Sequence, residues 1–239
     1  MQFNFGNDVE TFMLEHISEV VEIIGDGHCG YRSLAELLGW GEKEWVRVRR
    51  ELVEELDRHR GLYDPICLLD TIDELQEQID YYTSPAPPRH WIHMPHTGLI
   101  FATVYQVILV HLDLHEPVTC LPMIAPPGSS PPKTIFCIAR LHSQQHYIVV
   151  SKQYFIVPFC FHITFFIFTL PYDMHKMKTC VDAQIWLDDN ALLPSVITTW
   201  SYYHNASVAG WDTPLLHRIK QFTECRNVIR DHVPIVLDD

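Results

Sequence analysis

Gly25-Asp26-Gly27-His28-Cys29-Gly30-Tyr31-Arg32 is the stretch on which the reading of this chain turns. Ahead of it, Val20-Val21-Glu22-Ile23-Ile24 is an apolar run of strand character. Behind it, Tyr31, Leu34, Ala35 and Leu38 recur at helical spacing, with Arg32, Ser33 and Glu36 on the other side and Gly39 placed to end the helix. The stretch is therefore a tight turn between a strand and a helix, and Gly27 permits the sharp change of direction. Read literally, Gly25–Gly30 is also a Gly-x-Gly-x-x-Gly sequence, which in another setting cradles a dinucleotide. That fingerprint needs a second parallel strand ending in an acid about twenty residues on, where this chain instead enters a charged helix from Glu42 to His59. The other reading is chemistry at Cys29. A thiol at a helix N-terminus meets free backbone N–H groups and the positive end of the helix dipole, which favour thiolate over thiol and can also hold an oxyanion. Asp26 is close enough to brace the loop through hydrogen bonds to its backbone.

Working outward, the Glu42–His59 helix carries Trp45, Val48, Leu52, Val53 and Leu56 on one stripe, and its charged face reads as solvated. Thr71 and Glu74 form a capping box for a third helix reaching about Tyr82, which Ser84–Pro88 breaks. Ten of the sixteen prolines lie between Ser84 and Pro132, around a short helix after Thr97 and a strand in Val107–Leu112. Thr134–Leu141 and His146–Val150, separated by Ser143-Gln144-Gln145, read as a β-hairpin. Helices first and strands after predict an α+β domain with a small, mostly antiparallel sheet. A cysteine nucleophile needs a general base, and His146 opens the second hairpin strand.

The composition bounds the function. The 239 residues suffice for a buried core, and 47% hydrophobic with 12% aromatic content is globular usage, far from that of disorder. Thirty acids against seventeen Lys+Arg give a net charge of -13, which works against nucleic acid or an anionic membrane surface as the main partner. The fifteen histidines do not offset this at neutral pH. Seven scattered cysteines and a start, MQFNFGNDVETFMLEH, without basic or apolar signal regions predict a reduced compartment inside the cell, cytoplasm or nucleus. There Cys67, Cys120, Cys137, Cys160, Cys180 and Cys225 are expected as buried fillers.

Asp26-Gly27-His28-Cys29-Gly30-Tyr31-Arg32 resembles the Asp-Gly-Asn-Cys-aromatic-Arg block of the OTU (ovarian-tumour) family of papain-like cysteine proteases, and His146-Tyr147 resembles that family's His-Tyr block. The likeness extends to OTU-like domains of transposable-element-derived proteins through LLGWGEKEWVRVRRELVEELDRHRGLY and PPRHWIHMPHTGLIFATVYQVILVHL, and spans about Val20 to Val150. It implies a papain-like α+β fold and acyl transfer. Cys29 would attack an isopeptide or peptide carbonyl and His146 would carry the proton. Backbone around Gly27, His28 and Gly30 would hold the oxyanion or support the loop. The implied partners are conjugates of ubiquitin or a ubiquitin-like protein, with no cofactor, no nucleic acid and a monomeric enzyme. Two positions depart from the family pattern. Many OTU proteins carry Asp or Asn two residues after the catalytic His, where this chain has Ile148; Asp26, which matches the family's motif acid, is the substitute the resemblance implies, as imidazole orienter or as loop support. His28 stands in place of the usual Asn.

The expected organisation is an N-terminal segment, 1–19; the OTU-like domain, 20–151; an apolar insertion, 152–178; and a C-terminal extension, 179–239, ending in a helix capped by Thr213 and Pro214. Gln153–Tyr172 contains no charged residue and is long enough to span a bilayer, but its prolines and its β-branched and aromatic bias argue against a spanning helix. It reads as an insertion foreign to the family, of the kind an unspliced intron would encode. His90, His93 and His96 have a spacing that invites zinc, yet a proline-broken segment without Cys or acid nearby predicts exposed loop histidines and no metal. The competing functional class is an OTU-fold binding module with a weak or silent site.

Overall fold

The structure, a computed structural model, describes residues 19–67, 71–151 and 197–213, together with positions 5, 8, 9, 14, 17, 216, 220 and 224. The apolar stretch 152–178 and most of the expected C-terminal helix lie outside the described residues. Among the described residues no helix is long and apolar enough to cross a membrane.

Strands β1 (Glu19–Val21), β2 (Ile108–Leu112), β3 (Val118–Cys120), β4 (Ile135–Leu141) and β5 (His146–Ser151) form one sheet in the order β1-β5-β4-β2-β3. β4 and β5 are the expected hairpin, with Leu141 opposite His146, and Gln145 at φ 49 turns the chain just before β5. β1 lies antiparallel to β5 and β3 to β2, while β2 and β4 run parallel. The dinucleotide reading ends here. The strand that enters the glycine turn has an antiparallel neighbour, and the helix that leaves it is followed by another helix rather than by a returning parallel strand.

The described helices are α1 (Cys29–Leu37), α2 (Trp45–Arg58), α3 (Arg60–Tyr63), α4 (Ile72–Ile79), α5 (His96–Tyr105) and α6 (Ile197–Tyr203). α4 begins with both halves of the capping box, Glu74 N–H to Thr71 Oγ1 at 3.2 Å and Thr71 N–H to Glu74 Oε2 at 2.7 Å. α1 packs on β5 and against α2, and the core between them holds Leu34, Val48, Leu52, Leu56, Phe101, Leu109 and Ile138, all inaccessible to solvent. Each such side chain contributes about 1.5–3 kcal/mol relative to exposure. Trp200 of α6 joins this core and donates its indole N–H to the Pro122 carbonyl at 2.9 Å.

Two helix faces differ from the amphipathic expectation. Every residue of α1 from Cys29 to Ala35 is buried, Arg32 and Ser33 included, because the proline-rich loop covers the side that the sheet and α2 leave open. On α2 the charged face is only partly solvated. Arg47 and Glu51 pair near the surface at 2.7 Å, whereas Arg49 and Glu55 are buried among polar partners. The triplet of histidines is likewise not a row of exposed side chains. His90 is buried and stacked on Tyr81, and His96 Nε2 lies 3.0 Å from the Ile66 carbonyl. A helical turn and α5 take those two side chains inward.

Candidate active site

The turn that presents Cys29 is braced by Asp26. Its Oδ1 accepts from the His28 amide at 3.0 Å and from Arg32 Nε at 3.1 Å, and its Oδ2 accepts from Arg32 Nη2 at 2.6 Å and from Ser84 Oγ at 2.8 Å. Burial alone would raise this carboxyl, but the bonds from Arg32, Ser84 and the His28 amide outweigh it and hold it well below the usual carboxylate range. All four contacts serve the loop and none of them goes to His146, so of the two roles open to Asp26 they match loop support.

The backbone next to Asp26 is crowded. Gly27 has φ +81, and a Cβ there would run into the Ala86 carbonyl and lie 2.8 Å from Trp91 Nε1, which itself donates to that carbonyl at 3.0 Å. A Cβ on Gly30 would collide with Ile92. Both positions need glycine, one for conformation and space and the other for space alone. Gly25 lies beneath the His146 ring, where an added Cβ would be 3.5 Å from Nδ1, an ordinary contact.

Cys29 is the first residue of α1, as the strand-turn-helix reading requires, but its acidity differs from expectation. Burial pushes the thiol above its ordinary value, against hydrogen bonds from the Tyr147 and Gly30 amides that favour thiolate. The helix N-terminus acts in the expected direction, and desolvation of the charged sulfur exceeds it. The Tyr147 amide is one residue from His146, so the sulfur sits at the very start of β5. Burial also lowers His146 below its ordinary value, partly opposed by a ring hydrogen bond to the Ile23 carbonyl and by the charge of Glu22. Both shifts favour a resting pair of neutral thiol and neutral imidazole. Cys29 and His146 line one open cavity of about 410 Å³ with Gly25, Gly27, Trp91 and Gln145.

The expected oxyanion donors change in part. The His28 N–H is committed to Asp26, and the Gly30 N–H is at the Cys29 sulfur. Sequence reasoning missed three contributors. The Ile23 carbonyl, bonded to the His146 ring, is a backbone group without any residue signature. Trp91 walls the cavity from a proline-rich loop that carries no period. Arg49 was assigned to a solvated face, although its place between Val48 and Leu52 at the edge of the apolar stripe was a usable signal. Among the described residues no cluster of three His, Cys, Asp or Glu side chains is arranged to hold a metal ion. Cys67 is half-buried, and Cys120 and Cys137 are buried.

No family model matches the chain, and neither does any curated protein. Solved structures with a similar fold include the OTU domain of OTUD1, at 18% identity over 56% of this chain and 85% of that one, with TM-score 0.40. The Hazara virus OTU bound to ubiquitin is 18% identical over 61% of this chain and 87% of that one, with TM-score 0.42. The viral OTU domain protease from Qalyub virus is 9% identical over 60% and 89%, with TM-score 0.44. The fold of this chain is α+β by its own helices and sheet; at such TM-scores and identities the likeness says nothing of family or of residue roles.

Proposed function

We propose that this chain is an OTU-like cysteine isopeptidase or peptidase, of the kind found in transposable-element-derived proteins, that removes ubiquitin or a ubiquitin-like modifier in the cytoplasm or nucleus. The observation that supports it is the meeting, in one cavity, of a cysteine at a helix N-terminus and a histidine at the start of β5 whose ring is hydrogen-bonded to the Ile23 carbonyl. In this reading substrate entry brings the carbonyl carbon to Cys29, and His146 takes the thiol proton as the sulfur attacks. Backbone N–H groups of the glycine turn and the first turn of α1, other than the His28 N–H that Asp26 holds, stabilise the oxyanion. His146 then returns the proton to the departing amine, and water activated by the same imidazole hydrolyses the thioester. A carbonyl orients an imidazole without stabilising the imidazolium as a carboxylate does, so turnover is expected to be slow.

A second reading, an OTU-fold module that binds ubiquitin-like partners without turnover, is favoured by two observations: the thiol is pushed up by burial, and Ile148 is buried where many OTU proteins have an acid or amide. The test is reaction of the protein with ubiquitin bearing a C-terminal electrophile, comparing wild type with Cys29→Ala and His146→Ala. A covalent adduct lost in both variants supports the enzyme. Absence of an adduct from folded wild type, with ubiquitin binding retained, supports the module.

A further inference from the structure

Behind the nucleophile turn lies a buried cation, on which the carboxylates of Asp26 and Asp80 act without touching it. The Arg49 guanidinium is inaccessible to solvent and, among the described residues, is in no ion pair. Nη1 donates to the carbonyls of Gln78 at 3.0 Å and Ile79 at 2.8 Å, and Nη2 donates to the carbonyl of His90 at 2.7 Å and to His28 Nδ1 at 3.0 Å. The guanidinium also lies 3.6 Å over the Tyr31 ring. Buried charges are ordinarily paired; this one is solvated by carbonyls, a ring face and one imidazole nitrogen.

That last contact decides the state of His28. Arginine has only donors, so Nδ1 must be an acceptor and carry no proton. The other nitrogen, Nε2, faces the Thr83 carbonyl at 3.1 Å, which only accepts, so Nε2 must carry the proton. The ring is also inaccessible and stacked on Trp45 at 3.6 Å. The charged or titratable groups around it are Asp26 and Arg32 from the turn and α1, Arg49 from α2, and Tyr81 after α4. A proton on Nδ1 would point at the guanidinium.

We propose that His28 is a permanently neutral Nε2–H connector and that Arg49 is a positioning residue which, through His28, holds the Cys29 turn against the loop at Thr83. An acceptor facing Arg49 and a donor facing a carbonyl are what an asparagine amide also offers, so the imidazole does the same task with a longer reach. The inference rests on Cys29 being the nucleophile of the proposed function, but not on ubiquitin as its substrate.

The direct test needs no variant for its main result. Nitrogen-15 spectra of histidine-labelled full-length protein, with His28 assigned by its disappearance in His28→Asn, are expected to show the Nε2–H tautomer unchanged from about pH 5 to 8, across the ordinary histidine range. The Nδ1–H tautomer, or titration inside that range, overturns the proposal. Positioning is tested by iodoacetamide labelling of Cys29, read at that residue by peptide mass spectrometry. His28→Asn is expected within about threefold of wild type, and His28→Phe, which keeps the stack but loses both bonds, slower by about tenfold or more. Equal rates for His28→Phe and wild type, or a wild-type Cys29 inert to the reagent, overturn the positioning role. Arg49→Lys, which keeps charge but spans fewer acceptors, is expected to label more slowly at unchanged helix content by circular dichroism. If the labelling ratios hold while the ubiquitin electrophile fails to react, the substrate reading falls and this inference stands.

Discussion

Replacing Asp26 with alanine removes four acceptor contacts at once and leaves the Arg32 guanidinium, 10% exposed, without its carboxylate. Breaking a buried ion pair by deleting one partner costs about 3–5 kcal/mol, while exposed pairs are worth about 0–1 kcal/mol. The Asp26 side chain is 14% exposed, and Arg32 keeps a bond from Nη1 to the Glu42 carbonyl at 3.2 Å and a place over the Trp45 ring at 5.5 Å. These place the loss at the lower end, about 3 kcal/mol at neutral pH. For a chain of this length that corresponds to a fall in Tm of about 6–12 °C. The pH dependence follows from the depressed carboxyl. Its contribution is fully present above the unfolded value of about 3.9, and is lost only as pH falls through the folded value, well below the usual range. Urea unfolding of both proteins at pH 7 and pH 5 is therefore expected to show the same gap. A gap under about 1 kcal/mol at pH 7, or one already closing between pH 7 and 5, would refute the assignment of a buried, ionised brace.

Gly27→Ala forces a Cβ onto the Ala86 carbonyl at a left-handed backbone position; the left-handed conformation alone costs about 1–2 kcal/mol, and labelling of Cys29 by iodoacetamide is expected to drop about tenfold or more. A labelling rate equal to wild type would mean that the turn does not position the thiol. Because burial raises Cys29 and lowers His146, the wild-type labelling rate is expected to climb steadily from about pH 6 to 9, and a plateau across the acid half of that range would instead indicate a thiolate–imidazolium pair. Asp8 accepts from Ser143 at its amide, 3.1 Å, and at its hydroxyl, 2.6 Å, in the turn just before His146. Asp8→Ala is expected to cost about 1–3 kcal/mol and to speed hydrogen exchange at the Ser143 amide, and unchanged exchange there would remove that tie from the account of the site.

The elements closest to the site were legible because their signals are local. The apolar spacing after Gly30 and the capping box at Thr71 each depend on residues within one or two helical turns, and the β4–β5 hairpin on residues a few positions apart. The short strand β3 and helix α6 were not legible. A three-residue strand has no measurable period, and α6 draws its stability from Trp200 packing against a loop far away in sequence. Sidedness failed where polar residues go inward to find partners. Arg32 is buried because Asp26 receives it, and Arg49 because three carbonyls and an imidazole solvate it, and no periodic pattern encodes those acceptors.

Residue order alone establishes that Cys29 begins a helix after a glycine turn and that His146 begins a strand after a short loop, since both follow from nearest-neighbour conformational preference. Whether the thiol is acidic, which group bonds the imidazole and what Asp26 holds are matters of desolvation and of distances between segments remote in sequence. Those depend on how the proline-rich loop and α2 close over the turn, and they came out with the sulfur buried, the Ile23 carbonyl on the histidine and the carboxylate on Arg32.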